Sequence, residues 1–290
     1  MAYGSPNSIE DVPAYYADIR GGRPIKQDLL DDLVARYRRL GIEESNPLNE
    51  ITEATRAALE AELGVPVFTG MRHWTPRIAE AVEGALAGGA DELVGLVLAP
   101  HYSGMSIEKY RAQLVDAVDG RAEIRFIERW GNEPGFVDLL ATKIVAVSNY
   151  LSAHVVFTAH SLPARSLDEG DPYCDELLET ARLVADAAGT RDWSFSFQSE
   201  SPTGEPWLGP DILDHLEQLA ARGVHDVLVC PVGFVADHLE IRWDLDVEAA
   251  GKARELGLEL ERIELPNADP AFVRMLAGLV RRAGAVPSRS

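Results

Sequence analysis

Two apolar runs in this sequence stop on side chains that can move protons and hold metal ions. Residues 155–160 run into Thr158-Ala159-His160-Ser161-Leu162-Pro163, and residues 226–232 run into Gly233-Phe234-Val235-Ala236-Asp237-His238-Leu239-Glu240. Imidazole is neutral near pH 7, so it can accept a proton or ligate a metal. A carboxylate beside it suits a borderline divalent ion such as iron, zinc or cobalt. Glu240, Asp244 and Glu248 are each four residues apart, which places them on one face of a helix. Like charges at that spacing cost about 0.2–0.5 kcal/mol per pair. The ladder is either a solvated acidic face or a track that leads cations to His160, with Asp244 and Glu248 as a second cation position. His160 itself could instead be tied to a nearby backbone carbonyl. His73 and His101 also close apolar runs, and they read as structural.

The first half carries the opposite charge. Residues 20–39 hold six basic side chains (Arg20, Arg23, Lys26, Arg36, Arg38, Arg39) against three acidic ones, a local charge of +3. Arg36-Tyr37 on a helical face could grip a carboxylate, because a guanidinium binds it through two parallel hydrogen bonds. Surface solubility is the alternative. Tyr3, Tyr15, Tyr16, Tyr37 and Trp74 offer flat apolar surface to an aromatic ligand, or pack the core.

These residues need a scaffold. Strand-length apolar runs fall at 65–69, 93–99, 122–127, 155–160, 193–198, 226–232 and 258–265. Helical periodicity fills 8–19, 26–40, 52–63 and 135–152. Further helices are opened by Thr75-Pro76, by Pro210 and by Asp269-Pro270. Continuous Val, Ile and Leu suit parallel strands covered on both faces, and strand–helix alternation means right-handed βαβ units. The fold class is α/β, with two Rossmann-like lobes facing a cleft. The N-terminal lobe spans 1–134 and the C-terminal lobe 135–268, with a helix and tail at 269–290. Ligands of such sheets sit beyond the carboxyl ends of the strands, where His160 and Glu240 fall. Only residues 1–3 precede the Gly4-Ser5-Pro6 turn, so either the first strand is a stub or the sequence begins late.

Composition excludes several classes. The 290 residues are 46% hydrophobic and 26% charged, which describes a folded chain. A net charge of −20 repels nucleic acid and anionic membranes. No apolar run approaches the ~20 residues of a membrane span, and no secretion signal opens the sequence, so the expected location is the cytoplasm. Cys174 and Cys230 lack CxxC spacing, which argues against a disulfide framework or a four-cysteine metal site. There is no dinucleotide fingerprint, P-loop, HExxH or GxSxG.

Taken in order, several segments resemble the ferrochelatases, most closely the soluble bacterial type that uses coproporphyrin. They begin with Met1-Ala2-Tyr3-Gly4-Ser5-Pro6, the Arg36-Tyr37 helix with Asn46-Pro47-Leu48, and Leu98-Ala99-Pro100-His101-Tyr102-Ser103. They continue with the His160-Ser161-Leu162-Pro163 run, Gln198-Ser199-Glu200, Pro206-Trp207-Leu208-Gly209-Pro210, the run from Gly233 to Glu240, and Pro266-Asn267-Ala268.

The resemblance implies two lobes with four-stranded parallel sheets, the first strand of lobe one truncated, around a porphyrin cleft. It implies insertion of ferrous iron into a porphyrin in haem biosynthesis, with coproporphyrin III ahead of protoporphyrin IX. His160 and Glu240 would be the catalytic, metal-handling pair. Tyr3 would face the other side of the macrocycle. Arg20, Arg36, Tyr37, Asn46 and Tyr110 would fall on porphyrin-contacting positions, with Asn46 standing where a serine is common. Fe²⁺ is then a substrate and no cofactor is required. No iron–sulfur cluster is expected, because no cysteine follows Cys230. Expected partners are the porphyrin, the iron and a haem-accepting downstream enzyme, and a monomer is expected. A cobalt or nickel chelatase of the same fold and a porphyrin carrier compete with this reading. A carrier needs no base, so His160→Ala separates it from an enzyme.

Overall fold

The computed structural model describes residues 1–284 apart from 24, 43–45 and 202; the tail predicted beyond 284 lies outside the described residues. In the first lobe β1 (Glu92–Leu96) pairs in parallel with β2 (Glu123–Ile127). Around them lie α1 (Val12–Ile19), α2 (Gln27–Arg39), α3 (Pro47–Leu63), α4 (Ile78–Ala87) and α5 (Ile107–Val118). The second lobe is a four-stranded parallel sheet of β3 (His154–His160), β4 (Trp193–Gln198), β5 (Asp226–Cys230) and β6 (Glu259–Arg262), in the order β4-β3-β5-β6. Its helices are α6 (Pro134–Val145), α7 (Arg165–Asp168), α8 (Tyr173–Ala188), α9 (Ile212–Ala221), a π-helix (Ile241–Ala249) and α10 (Ala250–Leu256). The helix α11 (Pro270–Arg282) completes the fold.

Local chemistry explains where these elements start. The Asn46 side chain accepts the Leu48 N–H at 3.1 Å and Pro47 takes the first helical position, so α3 begins ahead of the predicted residue 52. The helix predicted from Pro76 begins at Ile78, because the Glu80 carboxylate accepts the Arg77 N–H and fixes the cap there. Asp211, not Pro210, caps α9 by accepting the Leu213 N–H at 2.8 Å. Asp269 caps α11 as predicted, at 2.7 Å from Ala271 N. The helix predicted to reach 152 stops at Val145, where Ser148 and Asn149 interrupt its apolar period.

The second sheet is the rigid half. Side chains of β3 alternate between two fully buried clusters: Val155, Phe157 and Ala159 meet α6 and α8, while Val156 meets Leu216, Val229 and Ile241. Both faces are covered, as continuous apolar strands require.

The first sheet differs from the expected four strands. Residues 1–3 lie between two backbones. The Met1 nitrogen donates to Leu96 O, and Leu98 N donates to Met1 O at 2.9 Å. On the other side Ala2 N donates to Gly70 O at 3.0 Å and Arg72 N to Ala2 O at 2.9 Å. This contact reaches only residues 70–73 and 96–98. Residues 65–69, predicted as a strand, form no ladder, and the described sheet is one two-stranded ladder plus isolated bridges.

The helix α11 ties the lobes together. Arg281 donates to Glu62 O at 2.7 Å, and Arg125 of β2 donates to Ala283 O at 2.6 Å. Phe272 and Leu276 share a core with Leu59 and Leu140. No helix among the described residues is long and apolar enough to cross a membrane.

Candidate active site

β3 and β5 are parallel neighbours, so their carboxyl ends open on the same side. His160 is the last residue of β3. Beyond β5 the chain turns at Gly233, where a side chain could not exist: a Cβ there would lie 2.6 Å from Ala159 Cβ. Gly233 N donates to Thr158 O at 3.1 Å. This close approach brings the segment leading to Glu240 alongside the end of β3. His160 Nε2 stands 3.7 Å from Glu240 Oε2, with both side chains about a third to a half exposed. His160 Nδ1 donates to the Ser161 carbonyl, which keeps the proton on Nδ1 and leaves the Nε2 lone pair facing Glu240 and the opening.

A third group joins them. His238 Nε2 lies 3.7 Å from the same Glu240 oxygen, while its Nδ1 donates to Ala236 O at 2.9 Å. Sequence reasoning missed His238, although it stands in the same run. Its place two residues before Glu240, in a turn that doubles back on a strand end, was the available signal.

The charges of this cluster are set by its geometry. Loss of water would raise the Glu240 carboxyl, but His160 and His238 more than offset this and hold it at about 2. Burial draws the His238 imidazole down, and the Glu240 carboxylate more than reverses that, leaving it above the ordinary histidine value. Asp244 goes the other way. Burial and the Glu240 charge push it up to about 6, against the hydrogen bond from Ser199. Two carboxylates on one helix are thus a firm anion and a group that titrates near neutrality.

The helix that carries them is not the α-helix expected from the spacing. Residues Ile241–Ala249 form a π-helix with Glu240 at its N-cap. The wider turn separates the predicted ladder. Asp244 accepts the Ser199 hydroxyl, and Ser199 itself has a left-handed backbone with φ 65°. Glu248 instead accepts the Trp243 indole N–H at 2.6 Å.

Tyr3 lies near enough to Glu240 to feel its charge. It is 40% exposed, and burial together with the Glu240 charge pushes its phenol well above the ordinary value. The Tyr3 ring lies 4.6 Å from the His73 ring. His73 Nδ1 meets Asp18 at 2.9 Å, and Arg77 grips the other oxygen of Asp18 at 2.9 Å. Burial lowers the His73 pKa, against the pull of Asp18. His73 therefore backs the aromatic wall, whereas His101 is buried on Thr180 Oγ1 at 2.9 Å, with burial lowering it to about 3.

The other expected contact residues divide. Arg36 lies 4.9 Å over the Trp243 ring and pairs with Asp32 at 2.9 Å, with Arg39 5.5 Å over the same ring. The basic helix α2 of one lobe thus rests on the acid-bearing π-helix of the other. Arg20 is exposed at the end of α1. Tyr37, Asn46 and Tyr110 are buried. Tyr37 packs with Val12, Ile42 and Leu239. The Asn46 amide donates to Ser5 Oγ at 2.6 Å. Tyr110 lies under the Arg72 guanidinium at 5.6 Å. These three form the packing behind the wall that Tyr3 presents.

The arrangement can take a proton at His160 Nε2 and hold a divalent cation in transit between that nitrogen and Glu240. Among the described residues no group of three or more His, Cys, Asp or Glu side chains is arranged to hold a metal, so the pair offers a partial ligand set. A cavity of about 440 Å³ lies elsewhere, between α3 and β1.

Comparison with known proteins agrees with this architecture. The family model described as Ferrochelatase matches residues 1–284. A ferrochelatase of Herpetosiphon aurantiacus is 44% identical over 97% of this chain and 96% of its own length. A coproporphyrin III ferrochelatase of Halalkalibacterium halodurans is 40% identical over 97% of this chain and 95% of its own. Among solved structures, SirB from Bacillus subtilis with Fe³⁺ superposes with a TM-score of 0.62 at 15% identity, covering 81% of this chain and 89% of that one, a likeness of fold. The family match over almost the whole length, together with relatives at 40–44% identity, shows that this chain belongs to the ferrochelatase family.

Proposed function

We propose that this protein inserts Fe²⁺ into coproporphyrin III, with His160 as the base and Glu240 as the group that delivers the metal. The 3.7 Å approach of His160 Nε2 to Glu240 carries the reading. Insertion removes two pyrrole protons from the macrocycle and strips water from the cation. The His160 imidazole, through Nε2, accepts one pyrrole proton at a time. Glu240, fixed as an anion by two histidines, attracts the dication and hands protons outward. Among the described residues no set of three ligands is arranged around a metal, so the cation would be held loosely enough to pass into the ring. A rigid strand end on one side and the Tyr3–His73 wall on the other can hold the ring bent, with lone pairs turned toward the base.

The tetracarboxylate substrate opposes a protein of charge −20. The reading places its carboxylates against the basic segment that holds Arg20 and Arg36, away from Glu240 and Asp244. Coproporphyrin relatives such as that of Halalkalibacterium halodurans support this ring over protoporphyrin IX. The expected setting is the cytoplasm, with haem passed to a downstream enzyme. Mixing the protein with coproporphyrin III and Fe²⁺ without oxygen should collapse the four free-base visible bands into two. Persistence of the free-base spectrum with folded protein overturns the enzyme reading.

A further inference from the structure

A single carboxylate joins the two loops that leave β1 and β3 at their carboxyl ends. Asp171 lies in the loop between His160 and α8. Its Oδ2 accepts the Ser103 hydroxyl and the Gly104 N–H, both at 2.8 Å, from the loop between β1 and α5. Its Oδ1 accepts the Tyr173 N–H at 3.0 Å, where α8 starts. Hydrogen bonds to a carboxylate are roughly twice as strong as neutral ones. Ser103 is fully buried, so its bond to Asp171 is shielded from competing water. Glu176, in the first turn of α8, repeats the bridge between lobes: it accepts the Tyr102 N–H at 2.8 Å and Arg129 Nη1 at 2.6 Å.

Asp171 reaches into each lobe. In the second, β5 pairs with β3 only as far as Phe157, so the His160 carbonyl lies past the end of that ladder. The Tyr173 hydroxyl donates to this carbonyl at 3.1 Å. Burial raises the Tyr173 phenol well above its ordinary value, so it keeps its proton and stays a donor. In the first lobe, Ser103 Oγ accepts the Met105 N–H at 3.1 Å, and Arg72 donates to Met105 O at 3.4 Å. Arg72 lies over the Tyr110 ring, and its charge reaches Tyr3.

We propose that Asp171 is a positioning residue that fixes His160 relative to the first-lobe wall, with the Tyr173 hydroxyl as its arm on the base and Ser103 as its arm on the wall. The proposal rests on the reading of His160 as the base of metal insertion. Both arms act through the residues they hold. A base misplaced by about 1 Å can lose roughly 10²-fold in rate, and the Tyr173 bond fixes the backbone from which the imidazole hangs.

The test separates the two arms in the full chain. Tyr173→Phe removes only the bond to His160. Its kcat for iron insertion should fall by about 10-fold or more, with the coproporphyrin III Kd from fluorescence quenching unchanged. Ser103→Ala should instead raise that Kd by about threefold or more, the worth of one hydrogen bond. Asp171→Ala should do both. Asp171→Asn keeps an oxygen for the Tyr173 N–H but turns its amide against two donors, so it should follow Ser103→Ala and serves if Asp171→Ala fails to fold. The His160 ring signals, followed by NMR in histidine-labelled protein, should move in Tyr173→Phe and stay in Ser103→Ala. These signals and the Kd need no turnover, so they decide the proposal even for a chain that inserts no iron. Unmoved His160 signals in Tyr173→Phe overturn it. So does a uniform fall in thermal midpoint across the variants with kcat and Kd unchanged, which would make Asp171 a fold-stabilising contact only.

Discussion

The two lobes differ in how they hold the cleft. In the second, four parallel strands are buried on both faces, and the chemistry hangs directly from the end of β3 and from the turn after β5. In the first, a two-stranded ladder leaves the wall to short segments, and Tyr3 is steadied by neighbours: His73, Asp18 and Arg77. His160 and Glu240, the proposed base and metal-delivering carboxylate, need fixed separation, and strands supply it. The wall has to meet a broad flat ligand, and side-chain packing suffices there.

The largest effect should come from the rigid side. His160→Ala should lower the rate of iron insertion by about 10²–10⁴-fold, the usual contribution of a positioned base. Coproporphyrin binding, measured by fluorescence quenching, should stay within a factor of a few. Equal loss of both would mean that the strand end binds rather than reacts. Stability should show the same division. Leu228→Ala, in the core of the second sheet, should cost about 2–5 kcal/mol in urea unfolding. Leu93→Ala, beside the existing cavity, should cost less than about 2 kcal/mol, because fewer contacts are there to lose. Similar costs would erase the contrast between the sheets.

On the wall side, Arg36→Glu should weaken coproporphyrin binding by about 10–100-fold, the worth of a charge-assisted contact replaced by repulsion. Iron binding without porphyrin should not change, and an equal fall in both would put Arg36 on the metal path. The smallest effect is a pH shift. Asp244 gains its proton as pH falls through about 6, so insertion should decline on that acid limb. The Ser199 hydroxyl lowers the Asp244 pKa, so Ser199→Ala should move the limb upward. The Glu248 charge raises it, so Glu248→Gln should move the limb downward. Identical shifts in the two variants would remove Asp244 from the cation path.

Much of this was legible in the sequence where one residue answered to one strong constraint. The carboxyl ends of β3 and β5 could be located from apolar runs, and Gly233 marked the tight turn that brings Glu240 to His160. What stayed hidden depended on packing between distant elements. Asn46 was expected at a porphyrin-contacting position; its helix-capping role, which the Asn-Pro pair signals, was not read from the sequence. For Tyr37 a ligand contact and core packing were both open, and only the packing of α2 against Leu239 shows that it is buried. The π-helix was invisible because its residues repeat at the same interval as an α-helical stripe. His73 could not be paired with Asp18 by any local pattern, since 55 residues separate them.

The helix α11 has a consequence for how the molecule is made. Arg281 meets Glu62 across 219 residues of chain, and Val280 helps to wall the first-lobe cavity. A ribosome releases the first lobe long before that wall exists. The early half must wait with its apolar flank open, or under a chaperone, until α11 emerges and closes it.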